Sequence, residues 1–156
     1  MATVGAGPGA VLREDGAMSD AVARSSFLGR VLVIDDEPGM VDLLTAILSD
    51  TGYDVIGALS GGDGLALVDL ERPDVMLLDL QMPGVPGVDV LRRVRILRPE
   101  LPVIIVSGQA DFNLARATLS CGAVDYIPKP FDPEDLIRVV DAALTHRPAP
   151  GNARSA

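Results

Sequence analysis

The chain is poor in several residue types that commonly carry function. It has one cysteine, one histidine and one lysine in 156 residues. The lone Cys121 excludes an internal disulfide. It lies in an apolar helical pattern and reads as a buried, inert thiol rather than a redox sensor. His146 falls near the frayed end of the last helical pattern and reads as a surface residue. Long apolar runs are also missing. The longest apolar segments are strand-sized, far short of the roughly 18 residues that span a bilayer. The first residues carry no basic start and no continuous apolar core, so they are not a secretory signal. A cytoplasmic protein with no membrane association is the default expectation. Positive charge is scarce: 13 Lys and Arg stand against 22 Asp and Glu, for a net charge of −9. Phosphate contacts need clustered cations, so direct nucleic-acid binding by this chain is not expected.

What is present is a strict alternation of short apolar runs and amphipathic segments. Residues 1–29 are rich in Gly, Ala and small polar residues and read as a mostly disordered tail, with a short helix around 21–27. The domain is expected over residues 30–145, and residues 146–156 as a C-terminal tail or linker. Strands are expected at 30–34, 54–58, 75–78, 102–106 and 124–127. Between them lie helical patterns with local start and stop signals. Pro38 fits the first turn of a helix and Gly52 its end. Ser60 is a cap for a helix that runs to about Glu71, despite Gly61, Gly62 and Gly64. A helix over 87–97 has Arg92, Arg93 and Arg95 on its wet side. Residues 111–121 are helical and closed by Gly122. Asp132 caps the last helix, with Pro133 at its first position. Five β-α alternations with short loops and right-handed crossovers predict an α/β fold. The natural outcome is a flavodoxin-like, doubly wound, five-stranded parallel sheet in the order 2-1-3-4-5, with helices on both faces.

Four of the five strand ends carry polar groups. The first ends in Asp35-Asp36, the third in Asp79, the fourth in Ser107 and the fifth in Lys129. In a parallel sheet these ends share one edge, where ligands bind. Each residue alone has a plain explanation: a turn or cap for Asp35, a turn for Ser107-Gly108, a solvated surface residue for Lys129. Four on one edge is a different matter. Crowded carboxylates repel, so one takes up a proton or a cation sits among them. Hard oxygen ligands in an open pocket suit Mg²⁺, with a main-chain carbonyl near Gln81 as a further ligand. Ser107 and Lys129 with Mg²⁺ would neutralise the oxygens of a transferring phosphoryl group, and Asp79 would be the nucleophile that forms an acyl phosphate.

The stretches Val33-Ile34-Asp35-Asp36-Glu37, Leu77-Leu78-Asp79-Leu80-Gln81-Met82-Pro83-Gly84, Val106-Ser107-Gly108-Gln109 and Asp125-Tyr126-Ile127-Pro128-Lys129-Pro130-Phe131 together resemble the receiver domain of two-component response regulators. The resemblance runs from about Arg30 to Leu144. It implies that Asp79 is the phosphorylated aspartate. Asp35 and Asp36 are then the Mg²⁺ acids, with Asp79 and the Gln81 carbonyl completing the protein ligands. Ser107 takes the hydroxyl position, Lys129 pairs with the phosphate, and Tyr126 is the switch aromatic. Gln81 and Gln109 sit where the family tunes acyl phosphate hydrolysis. A cis Lys129–Pro130 bond is implied as well.

The function implied is a phosphorylation switch, not an enzyme acting on an outside substrate. The donor would be a histidine kinase or histidine phosphotransfer protein. A downstream protein would read the face made by the fourth helix, fifth strand and fifth helix. The resemblance leaves room for a phosphorylation-dependent dimer. A stand-alone receiver is expected, with the receiver piece of a longer, for example DNA-binding, regulator as the alternative. A Mg²⁺-dependent phosphatase with an aspartyl-phosphate intermediate is the alternative of another class. It fits poorly, because Asp35 and Asp36 are adjacent and no insertion is long enough for a cap domain.

Overall fold

The computed structural model describes residues 26–108 and 112–146, the Phe112 side chain excepted. The expected N-terminal tail up to residue 25, Gln109 and the tail beyond His146 lie outside the described residues. Ten elements alternate along the chain: β1 (Arg30–Ile34), α1 (Pro38–Thr51), β2 (Asp54–Ala58), α2 (Gly61–Glu71), β3 (Val75–Leu78), α3 (Gly87–Leu97), β4 (Val103–Ser107), α4 (Phe112–Ser120), β5 (Asp125–Pro128) and α5 (Pro133–Thr145). The strands form one sheet in the order β2-β1-β3-β4-β5, every pair parallel. This is the predicted doubly wound order. The more polar β2 lies at the edge, and the uniformly apolar β3 lies at the centre and is wholly buried.

The side-chain alternation along each strand sends neighbours to opposite faces. On one face Val31, Val33, Leu77, Ile104 and Val106 meet Leu44 and Leu48 of α1 and Leu136 and Val140 of α5. On the other, Leu32, Ile34, Met76, Leu78 and Ile105 meet Val68 of α2 and Val90, Leu91 and Val94 of α3. Each such side chain stabilises the fold by about 1.5–3 kcal/mol relative to exposure. The two-sided core fixes the strand register, and with it the height of every strand end.

The local signals act as expected at several helix ends. Pro38 opens α1 and Gly52 closes it in the left-handed region, at φ 119°. The Ser60 hydroxyl accepts from the Asp63 amide, and the Asp132 carboxylate accepts from the Glu134 amide. The early glycines of α2 have a reason that local propensity cannot supply. A Cβ on Gly61 would lie 2.7 Å from Val90 Cγ2, and one on Gly64 would overlap Ile34. Glycine here lets α2 sit close to both β1 and α3.

Three details differ from the sequence expectation. The last two strands are shifted by one residue, to Val103–Ser107 and Asp125–Pro128. Pro102 has no N–H to give the ladder, whereas the Lys129 amide donates to Ser107 O at 2.9 Å and extends the pairing to the strand end. Cys121 is half-buried against the α2–α3 side of the core rather than fully enclosed. Arg95 is not on the wet side of α3. Its guanidinium turns inward and donates to the carbonyl of Gly122, at 3.1 Å, and to that of Leu101. Burial lowers its pKa, opposed by the charge of Glu100. The α4–β5 turn offers no side-chain bulk at Gly122, and Arg95 fills that space.

Arg92 and Arg93 are exposed as expected. The two kinds of arginine should separate in a denaturation experiment. Arg95→Ala strands two carbonyls and should cost about 1–3 kcal/mol. Arg92→Ala, whose 3.5 Å pair with Asp89 is solvent-exposed, should stay within about 0.5 kcal/mol. Equal urea midpoints for the two variants would contradict the inward placement of Arg95.

Candidate functional site

Backbone pairing runs one residue past β1 and β3 and thereby positions two acids. The Asp35 amide donates to Ala58 O at 3.1 Å, and the Asp79 amide donates to Ile34 O at 3.0 Å. Both side chains are removed from water, Asp35 at 2% exposure and Asp79 at 5%. Asp36, next along the chain, is half-buried. The three carboxylates each offer an oxygen within 4.8 Å of the others. From β5, Lys129 reaches across the edge. Its ammonium lies 2.7 Å from Asp35 Oδ2 and 3.8 Å from Asp79 Oδ2. The Lys129–Pro130 bond is cis, as the sequence resemblance implies. Ser107, fully buried at the end of β4, hydrogen-bonds to the Asp79 carboxylate. Strand order explains the convergence, because β3 lies between β1 and β4, with β5 one strand further on.

Two backbone amides add to the cluster and were not singled out from the sequence. Glu37 N–H donates to Asp35 Oδ1 at 3.0 Å, and Gln81 N–H donates to Asp79 Oδ1 at 3.3 Å. Both are the turn that an aspartate makes with the amide two residues on. An Asp directly after a strand is the signal that could have found them. They fix the orientation of each carboxylate and leave the second oxygen for other partners.

The cluster sets three carboxylates against one ammonium. Burial pushes the Asp79 carboxyl above its ordinary value of 3.8, and the Asp35 charge adds to the rise. The Gln81 amide, the Lys129 ammonium and the Ser107 hydrogen bond oppose it without cancelling it. A second cation would relieve the same repulsion. The donor set, three hard carboxylate oxygens at close range with one acid half-open to water, suits Mg²⁺ in type and number.

The remaining predicted residues are placed differently. Gln81 is exposed, with its side-chain oxygen near Gly108 at the mouth of the cluster. Tyr126 is half-buried, in register with Ile105, and packs on the α2–α3 side of the core rather than in the acid cluster. Cys121 and His146 take no part. His146 is exposed at the end of α5, as expected.

Residues 31–141 match the response regulator receiver domain. The chain belongs to that family. Protein PilH of Pseudomonas aeruginosa is 38% identical over 119 residues, covering 75% of this chain and 98% of that protein. The DNA-binding transcriptional regulator NtrC of Salmonella typhimurium is 35% identical over 118 residues, covering 76% of this chain. The receiver spans only 25% of that relative's length. Among solved structures, a CheY-like receiver domain protein from Methanospirillum hungatei superposes with a TM-score of 0.72 at 34% identity, covering 76% of this chain and 94% of the other. Receiver domains are signalling proteins rather than enzymes in the ordinary sense. They bind Mg²⁺ at an acidic pocket and work with histidine kinases or phosphotransfer proteins and with downstream effectors. No described helix of this receiver is long and apolar enough to cross a membrane.

The raised Asp79 pKa fixes the sign of a stability effect. Between the ordinary carboxylate pKa and the raised folded one, the folded chain binds more protons than the unfolded chain. Stability therefore falls as pH rises through that window, and ionised Asp79 is a cost at neutral pH. Asp79→Asn should raise stability at pH 7.5 by on the order of 1 kcal/mol, a few degrees in Tm. The gain should shrink as pH falls towards 3.8 and vanish below it, where the wild-type carboxyl is protonated in both states. Thermal melts of both proteins across pH, without divalent ions, measure this. A lower Tm for the variant at neutral pH would refute it.

Proposed function

We propose that this receiver is a phosphorylation-dependent signalling switch whose acceptor is Asp79. The carrying observation is the Asp79 carboxylate, held at 5% exposure with Lys129 at 3.8 Å and two further acids beside it. The donor is a phosphohistidine on a histidine kinase or phosphotransfer protein. An Asp79 carboxylate oxygen attacks phosphorus, the P–N bond breaks, and the imidazole leaves with the bonding electron pair. Asp79 then carries an acyl phosphate. Asp35, Asp36, Asp79 and the Gln81 carbonyl are the Mg²⁺ ligands, and the ion supplies charge neutralisation for the phosphoryl oxygens. Lys129 pairs with one of those oxygens, and the Ser107 hydroxyl donates to another. Gln81, at the mouth, and Gln109 tune how water reaches the acyl phosphate.

The new charge draws Lys129 and Ser107 towards it and weakens their hold on Asp35 and on the Asp79 carboxylate. Tyr126, two residues past the α4–β5 turn, follows. The α4–β5–α5 face is then the surface a downstream protein reads. A dimer formed on phosphorylation uses the same face. The site of action is the cytoplasm, where such donors are made. Direct contact with nucleic acid is not part of this role, given the net charge of −9.

The extent of the working protein has two readings. A stand-alone receiver is supported by PilH, of which the chain covers 98%. A receiver piece of a longer regulator is supported by NtrC, of which it covers 25%. The phosphatase alternative has no support beyond the acids themselves.

Intact mass after incubation with acetyl phosphate tests the acceptor. One phosphoryl group should add to wild type with Mg²⁺, and none with a chelator. Asp79→Asn should stay unmodified under both conditions. An adduct on Asp79→Asn, or one formed equally well in chelator, would overturn the assignment.

A further inference from the structure

Gly87 opens α3 and is buried directly behind the acceptor. A Cβ at this position would lie 2.5 Å from the Asp79 carbonyl oxygen and 2.6 Å from Leu80 Cα. Both are backbone atoms, so no side-chain rotation makes room. The glycine is not required by its own dihedral angles: among the described glycines only Gly52, Gly84 and Gly122 have positive φ. Space alone demands it. At Gly62, by contrast, a Cβ would meet nothing within 4 Å.

We infer that Gly87 is a positioning residue for phosphoryl transfer, setting where the Asp79 carboxylate stands relative to Lys129 and the other acids. The inference rests on Asp79 being the acceptor. Two constraints direct any displacement into Asp79. The helix cannot retreat easily, because Val90, Leu91 and Val94 are fully buried on its inner side. On the other side of the Asp79 Cα, the preceding peptide is held by Asp79 N–H on Ile34 O, at 3.0 Å. Gly87 N–H closes the loop on Leu80 O at 3.4 Å, and the Pro86 carbonyl takes the amides of Asp89 and Val90 at 3.0 and 3.1 Å. A methyl group at residue 87 therefore presses on the carbonyl of the residue that carries the reacting side chain. The 2.5 Å approach falls about 0.9 Å short of the 3.4 Å at which ordinary contact begins. A misplacement of about 1 Å costs up to roughly 100-fold in a reaction that depends on alignment. Overpacking also lowers stability, so rates are compared only among folded proteins.

The test compares initial rates of phosphoryl uptake from acetyl phosphate in the full chain, at a temperature where circular dichroism shows every protein folded. Gly87→Ala should slow uptake at saturating Mg²⁺ by roughly 10- to 100-fold and raise the Mg²⁺ needed for half-maximal rate. Gly57→Ala is the control for overpacking in general, since its Cβ would lie 2.5 Å from Val41 Cγ1 in α1. It should lower Tm while keeping the wild-type rate. Pro86→Gly, at an exposed position, loosens the same first turn without filling space and should slow uptake severalfold. It carries the test if Gly87→Ala does not fold. Wild-type rates in folded Gly87→Ala, or in Pro86→Gly, overturn the inference, as does an equal rate loss in Gly57→Ala. A wild-type protein that takes up no phosphoryl group overturns the assignment of Asp79 itself.

Discussion

Asp35 and Asp79 are held out of water a few ångströms apart, with one ammonium to answer them. A pair of like charges in this position tends to swell the edge of the sheet or to take up a proton. Neither acid can move away, because the backbone on each is tied into the pairing of β1 with its neighbours. The rest of the edge answers to that constraint. Two backbone amides each take one carboxylate oxygen. Ser107 adds a third donor, and Lys129 extends from the far strand to the 2.7 Å contact with Asp35. The wholly buried central strand and the two-sided core keep the acids at one height. Packing thus maintains a charge arrangement that electrostatics alone would disperse.

That division explains what was legible in the residues. β1 and β3 are short apolar runs ending in acids, and their type, order and site all follow from that pattern. The caps at Ser60, Asp132 and Gly52 are local chemistry and could be read locally. Asp35, Asp36, Asp79, Ser107 and Lys129 converge because parallel strands share an edge. The misreadings arise where tertiary packing decides. Arg95 follows the polar face of its helix in the sequence, yet its partners lie in the β4 approach and in the α4–β5 turn. Gly61, Gly64 and Gly87 look like poor helix formers until the neighbouring helix and strand are in place. The one-residue shifts of β4 and β5 reflect pairing partners that no single segment contains.

The helices on the two faces have different duties. α1 and α5 cover the face below Asp35 and Lys129. On the opposite face α2 and α3 press inward through glycines. Arg95 ties the end of α3 to the turn that precedes β5, so the strand that bears Tyr126 and leads into Lys129 is anchored at its entry as well as in its pairing.

The contact between Lys129 and Asp35 has a consequence for ion affinity. A divalent cation entering the cluster does not fill an empty acidic bowl. It meets an ammonium already seated on one of the three carboxylates, and it must share or displace that partner. Binding is then an exchange of one cation for another, and only the difference in free energy appears as affinity. The 2.7 Å contact of Lys129 with Asp35 would thus lower the affinity that three acids alone would give a divalent ion.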